Sequence, residues 1–131
     1  MSRLSDTIDA LNALAQTTLP TYKDWLDHYK KIGSLNKGDL PVTMILNPSV
    51  EPQLTTLNEE EEFTTLEMLI LRKPDEALSL RTDTEAMVDA IKDSGTLTDT
   101  VDRIVSVSRQ YEELQTNESM AVIEIQTARV V

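Results

Sequence analysis

Few residues in this chain belong to the types that carry out chemistry, and their spacing settles most of what they can do. His28 is the single histidine. Imidazole suits proton transfer near neutral pH, but a general base needs its target proton within hydrogen-bond reach. The chain supplies no cysteine, no second histidine and no Gly-x-Ser-x-Gly elbow to accompany it. Gly33 and Gly38 have the spacing of a phosphate-binding loop, in which a following Lys and Ser or Thr reach phosphate and magnesium. This chain continues instead with Asp39 and Leu40, setting a carboxylate against the phosphates. The run Glu59-Glu60-Glu61-Glu62 has the charge to attract divalent cations. Successive residues of an extended segment point to opposite sides, however, so the run does not converge on one ion as an EF-hand loop does. It reads as a solvated charge run beside a strand, or as an acidic loop that lines a pore or meets a basic partner. A pair such as Asp99 and Asp102 would have to serve for carboxylate catalysis, and no metal-ligand cluster or perturbing partner accompanies it. No catalytic, cofactor-binding or metal-ligating residue is therefore expected, and the protein is expected not to be an enzyme.

Two features suit binding better. Tyr22, Trp25 and Tyr29 gather three of the five aromatics into one short stretch. Such a group either anchors its segment on a core or forms a subunit contact, where Trp and Tyr commonly dominate the energetics. The C-terminal stretch from Ala121 to Val131 is rich in Ile and Val and carries only Glu124 and Arg129 as charges. It is expected to be an exposed strand edge, open to aggregation unless a partner chain covers it by strand addition.

These features must be held by a chain of 131 residues, the usual size of one domain, so residues 1–131 are expected to form a single α+β domain. With 40% hydrophobic and 27% charged residues the composition is that of a globular protein. The absence of cysteine removes disulfides and thiolate metal sites together. The first residues do not form an apolar leader, and no apolar run approaches the roughly 18 residues of a membrane span. A protein made in the cytoplasm is expected. Asp and Glu number 23 against 12 Lys and Arg, for a net charge of −11. Gripping duplex DNA requires basic side chains that displace counterions from phosphates, and only Lys30-Lys31 and Arg72-Lys73 are paired bases. Specific DNA binding is not expected; an acidic surface instead lets a strand slide past.

The hydrophobic pattern orders the elements. Leu4, Ile8, Leu11 and Ala15 form a helical stripe that Pro20 ends. Thr21 and Asp24 give a helix start signal, Gly33 a stop, and Tyr22, Trp25, Leu26 and Tyr29 one face, so a second helix is predicted there. Val42 to Leu46 reads as a short strand, followed by a polar loop with Pro52. Phe63 to Leu71 reads as a longer strand with Leu66, Met68 and Ile70 on one face and Thr65, Glu67, Leu69 and Leu71 on the other. Both faces are partly apolar, which predicts a central strand or one face buried by another subunit. Thr82-Asp83-Thr84-Glu85 has the form of a capping box, and Met87, Val88 and Ile91 continue a helix to Ser94-Gly95. Alternation around Val101 to Arg109 and Ala121 to Gln126 predicts two closing strands. The predicted order is α-α-β-β-α-β-β: a sheet of about four largely antiparallel strands packed with two to three helices.

Laid out in this way, the chain resembles a tail-terminator (tail-completion) protein of long-tailed bacteriophages. The resemblance runs through the N-terminal helix around Ile8 to Leu14, the opening strand Leu40 to Ile45, and the long strand with its acidic approach from Glu59 to Leu71. It continues through the helix Thr82 to Lys92 and the closing strands that end at Ala121 to Ile125. The predicted helix carrying Trp25 is longer than that family's layout. The resemblance implies a homohexameric ring that caps the tail tube, ends tail polymerisation and offers the head-neck joining surface. It implies as partners further copies of the chain, the tail-tube protein and a neck or head-completion protein, with DNA only passing through the lumen and no membrane. It places the protein in the virion tail, at its neck end, after synthesis in the host bacterial cytoplasm, with no cofactor. On this reading Glu59, Glu60, Glu61 and Glu62 become candidate lumen or tube contacts, and Trp25 and Tyr29 candidate subunit contacts. Another phage neck, head-completion or tail-tube protein, or a small acidic bacterial regulatory or adaptor domain, would share the acidity and the lack of catalytic groups.

Overall fold

The computed structural model describes residues 3–31, 35–46, 49–54, 60–113 and 119–130. In chain order the elements are helix α1 (Arg3–Thr18), strands β1 (Asp24–Leu26), β2 (Val42–Ile45), β3 (Ser49–Leu54) and β4 (Glu60–Arg72), helix α2 (Ala77–Ser94), and strands β5 (Arg103–Glu113) and β6 (Ser119–Val130). The fold is α+β, and its sheet is antiparallel except where β1 runs parallel to β2.

Strand β4 organises the sheet because both its faces are apolar toward its C-terminal end. One edge pairs with β2 from Met68 to Leu71 and then with β3 from Glu60 to Thr65, while the other pairs with β6 along nearly the whole strand. The spatial order is β1-β2-β4-β6-β5, with β3 beside the far half of β4. Leu66, Met68 and Ile70 alternate toward the helices. There they form the main core with Ile123, Ile125, Leu11, Ala15, Met87 and Ile91, all of them fully buried. Leu69 and Leu71 point to the opposite face, where Val42, Met44, Met120, Leu35 and Leu40 make a second, smaller cluster. A buried side chain of this size contributes roughly 1.5–3 kcal/mol. The chain itself therefore covers the apolar half of that face.

Four expectations are corrected. The predicted helix from Thr21 toward Gly33 is absent: a turn and the short strand β1 occupy Thr21 to Leu26, while Gly33 lies outside the described residues. The Lys23 N–H donates to Pro41 O (2.8 Å), fixing β1 alongside β2, so tertiary pairing overrides the local start signal. The polar loop around Pro52 is strand β3, and it lies at an edge of the sheet, where proline is tolerated. Thr82 does not open α2, which begins at Ala77 directly after a 3-10 turn at Pro74–Glu76. Thr82 and Thr84 lie inside the helix, with their hydroxyls donating to Leu78 O (3.1 Å) and Leu80 O (2.7 Å). Finally, the C-terminal strand is not an open edge. β6 lies between β4 and β5, and Ala121, Ile123, Ile125 and Ala128 are wholly buried.

The connection from α2 to β5 is unusual. Gly95 ends the helix at φ 68°, a conformation that glycine adopts without strain. Leu97, Thr98 and Asp99 then follow with φ of 46°, 57° and 61°. Consecutive left-handed non-glycine residues cost about 1–2 kcal/mol each. Buried Leu97 anchors the turn, and Thr96 closes it: its Oγ1 lies 3.2 Å from Asp99 Oδ1 and accepts from the Asp99 N–H at 3.1 Å.

Candidate interaction surfaces

The aromatic residues singled out by the sequence separate into different environments. Tyr22 is buried, and its hydroxyl donates to Asp83 Oδ2 on α2 (2.6 Å). Arg72, the last residue of β4, donates from Nη1 to the same Asp83 oxygen (2.8 Å) and from Nη2 to Glu76 Oε2 (2.8 Å). Its guanidinium carbon stands 5.5 Å from the centre of the Tyr22 ring. Burial pushes the Tyr22 phenol above its ordinary value, and the bond to Asp83 acts in the same direction. Burial opposes the charge on Arg72, but its contacts with Glu76 and Tyr22 outweigh that cost and hold it charged. The hydrogen bond from Arg72 holds the Glu76 carboxyl below the usual carboxylate range. This network clamps α2, β4 and the segment before β1 together. Sequence reading missed it, although Arg72 and Glu76, four apart across a strand end, were the available signal.

Trp25 is half-buried against the main core. Its ring N–H donates to Leu19 O (3.0 Å), and its own carbonyl accepts from Asn12 Nδ2 (3.2 Å). The indole thus ties β1 to the residue that follows α1, and the main-chain carbonyl ties it to α1 itself. Tyr29 follows β1 and is half exposed, so of the two candidate contact residues it is the more accessible to solvent. Beside it, exposed His28 Nδ1 lies 2.9 Å from Asp27 Oδ1, and that contact holds Asp27 below its ordinary value.

Of the four glutamates, Glu59 lies outside the described residues. Glu60, Glu61 and Glu62 form the start of β4, in register with Leu54, Gln53 and Pro52 of β3. They are therefore strand backbone, not a free loop. A second acidic feature lies further along the same sheet, where Glu67 of β4 stands directly opposite Glu124 of β6. Like charges in that relation repel, and Glu124 is exposed on the face opposite α1 and α2.

Asp99 and Asp102 line a cleft of about 450 Å³ together with Asp6, Thr98, Thr100, Val101 and the largely buried Arg129. The cleft offers carboxylates, hydroxyls and a guanidinium for hydrogen bonding. Among the described residues no three His, Asp or Glu side chains are grouped to hold a metal ion. No helix among them is long and apolar enough to cross a membrane.

The remaining surface is β5, the last strand of the sheet. On its helix side Ile104, Val107 and Tyr111 pack on the core, and Arg109 pairs with Glu85 of α2. The Tyr111 hydroxyl donates to Glu85 Oε1 (3.3 Å), and Arg81 lies 4.3 Å above the Tyr111 ring. Val105 has no partner across β6, where the register jumps from Ile104 to Ser106. This bulge leaves Val105 exposed.

No family model matches the chain, and no curated protein matches its sequence. Among solved structures it is similar to a chain from the virion of a native gene transfer agent particle, at 11% identity and a TM-score of 0.49, covering 95% of this chain and 90% of that one. At that identity and score nothing about function passes from that particle to this chain.

Proposed function

We propose that this chain is a structural protein of a long-tailed bacteriophage, acting as one α+β domain over residues 1–131. It forms a ring that caps the tail tube, ends tail polymerisation and offers the joining surface for the head's neck proteins. The observation that carries this reading is the order of its elements: a helix, the short strands β1, β2 and β3, the long strand β4 that opens on glutamates, a helix and a closing strand pair. The charge supports it too, since copies of a chain with net charge −11 around a channel repel phosphate and let DNA pass without sticking. Ring closure uses head-to-tail contacts, one patch meeting a different patch on the next subunit. Trp25 and Tyr29 are assigned to that contact, and Glu59, Glu60, Glu61 and Glu62 to the lumen or the tube.

A stop codon in this gene, in the phage that carries it, tests the reading by electron microscopy of the lysate. Overlong headless tails beside DNA-filled heads are expected. Leaking heads beside tails of normal length would move the protein to the neck, and a gene lying in no phage or prophage would end the phage reading. Reversing two of the glutamates to lysine should impair assembly or DNA delivery, and Trp25→Ala should weaken the ring. The second reading, a small acidic bacterial regulatory or adaptor domain, is favoured by one observation: β5 is the last strand of the sheet and has an open edge.

A further inference from the structure

Among the described residues, β2, β4 and β6 have neighbours on both sides. Three strands have an open edge. β1 has only three residues, Asp24–Leu26. β3 is interrupted by Pro52, which has no N–H to give to any neighbour. β5 is eleven residues long, Arg103–Glu113, and contains no proline. From Ile104 to Gln110 it contains no carboxylate, and its only charge is Arg109. In a chain of net charge −11 this is where a second copy meets least repulsion.

We infer that the free protein pairs two copies through β5, antiparallel, about a two-fold axis passing through Ser108 normal to the sheet. Residues directly opposite in an antiparallel ladder lie on the same face. Centring on Ser108 sets Val107 opposite the partner's Arg109 and Ser106 opposite the partner's Gln110. With Val105 looped out, as it already is against β6, Ile104 comes opposite the partner's Tyr111 and Arg103 opposite the partner's Glu112. Two-fold symmetry makes each of these pairs twice. The register thus joins unlike charges at both ends, apolar to aromatic side chains on the helix side, and a small uncharged residue to itself on the axis. A centre moved back to Val107 shortens the ladder, and one moved forward to Arg109 sets that arginine against its own copy; both separate Arg103 from Glu112. The bulge, often a device that discourages edge pairing, here keeps the faces matched across the contact.

A two-fold pair closes on itself and builds no ring. The contact is therefore separate from the head-to-tail contacts proposed above, and it stands or falls without them. Sedimentation velocity on the purified chain across a concentration series is expected to show a species of twice the chain mass. Arg103→Glu alone and Glu112→Arg alone should each weaken the dimer about tenfold, since two cross-strand ion pairs become two repulsions. The double variant should return to within about threefold of the original affinity, because the pairs are restored in reverse. Both positions are exposed, and an unchanged circular dichroism spectrum and Tm separate lost pairing from lost fold. A chain that sediments as a monomer, a larger closed ring as the only assembly, or a double variant no better than the singles would each overturn the inference.

Discussion

β6 and β5 are neighbours of similar length, yet they live in different environments. β6 is held on both sides and buries nearly every residue on its helix face, whereas β5 is held on one side and exposes most of its length. Helix α2 fastens each half of the sheet with one carboxylate. Asp83 binds Tyr22 and Arg72 beside the strongly paired centre, while Glu85 binds Arg109 and Tyr111 at the edge. The first arrangement is largely shielded from water and the second is not. Similar chemistry therefore carries different weight in the two halves, because burial sets both what an apolar contact contributes and what a lost hydrogen bond costs.

The largest effect should come from truncating the buried strand. Ile123→Ala removes a fully buried side chain from the main core, and urea titration should show a loss of about 2–5 kcal/mol. Val105→Ala, at the exposed bulge of β5, should change stability by no more than about 0.5 kcal/mol. Equal losses would mean that β5 is as tightly integrated as β6. The two α2 carboxylates extend the contrast at smaller scale. Asp83→Ala leaves the buried Tyr22 hydroxyl and the Arg72 guanidinium short of an acceptor and should cost about 1–3 kcal/mol. Glu85→Ala, at a half-exposed ion pair, should cost about 0–1 kcal/mol.

The smallest effect is one of pH. Arg72 lowers the folded-state value of Glu76 below its ordinary one, so the native state binds this proton less readily than the unfolded chain. The stabilisation is complete above the ordinary glutamate value and is lost as the pH falls through the lowered folded value. Glu76→Gln should thus be less stable than the original chain at neutral pH, and the gap should close under acid. A gap that persists unchanged at low pH would mean that Arg72 gains nothing from the charge on Glu76.

Much of this frame could be read from the chain. The strand alternation of Leu66, Met68 and Ile70, the helical stripe of Leu11 and Ala15, and the pair Met87 and Ile91 all bury as their spacing dictates. Local signals failed where two structures competed for one segment. Thr21 and Asp24 look like a helix start, but one helical turn contributes less than pairing with β2 and burying Tyr22. The box at Thr82 is a good cap, yet Pro74 supplies an earlier opening and the threonine hydroxyls turn back to carbonyls within the helix. Of the candidate contact residues, Trp25 and Tyr29 were legible as a pair only in sequence; the fold turns one inward and leaves the other half exposed. The open edge lies on β5 and not on the more apolar β6 for a related reason: apolar content shows that a strand will be covered, but not by what.

By itself, then, the sequence determined the alternation of buried and exposed residues, the acidic charge, the absence of cysteine and the approximate sites of the helices and longer strands. These follow from composition and from the periods of helix and strand, which are properties of neighbouring residues. The tertiary structure alone decided that β6 is central and β5 peripheral, and that Arg72 shares Asp83 with Tyr22. It also decided that the residues from Leu97 to Asp99 take a left-handed turn before β5. Those choices depend on which distant segments meet, and the free energy of such contacts is set by partners far away along the chain.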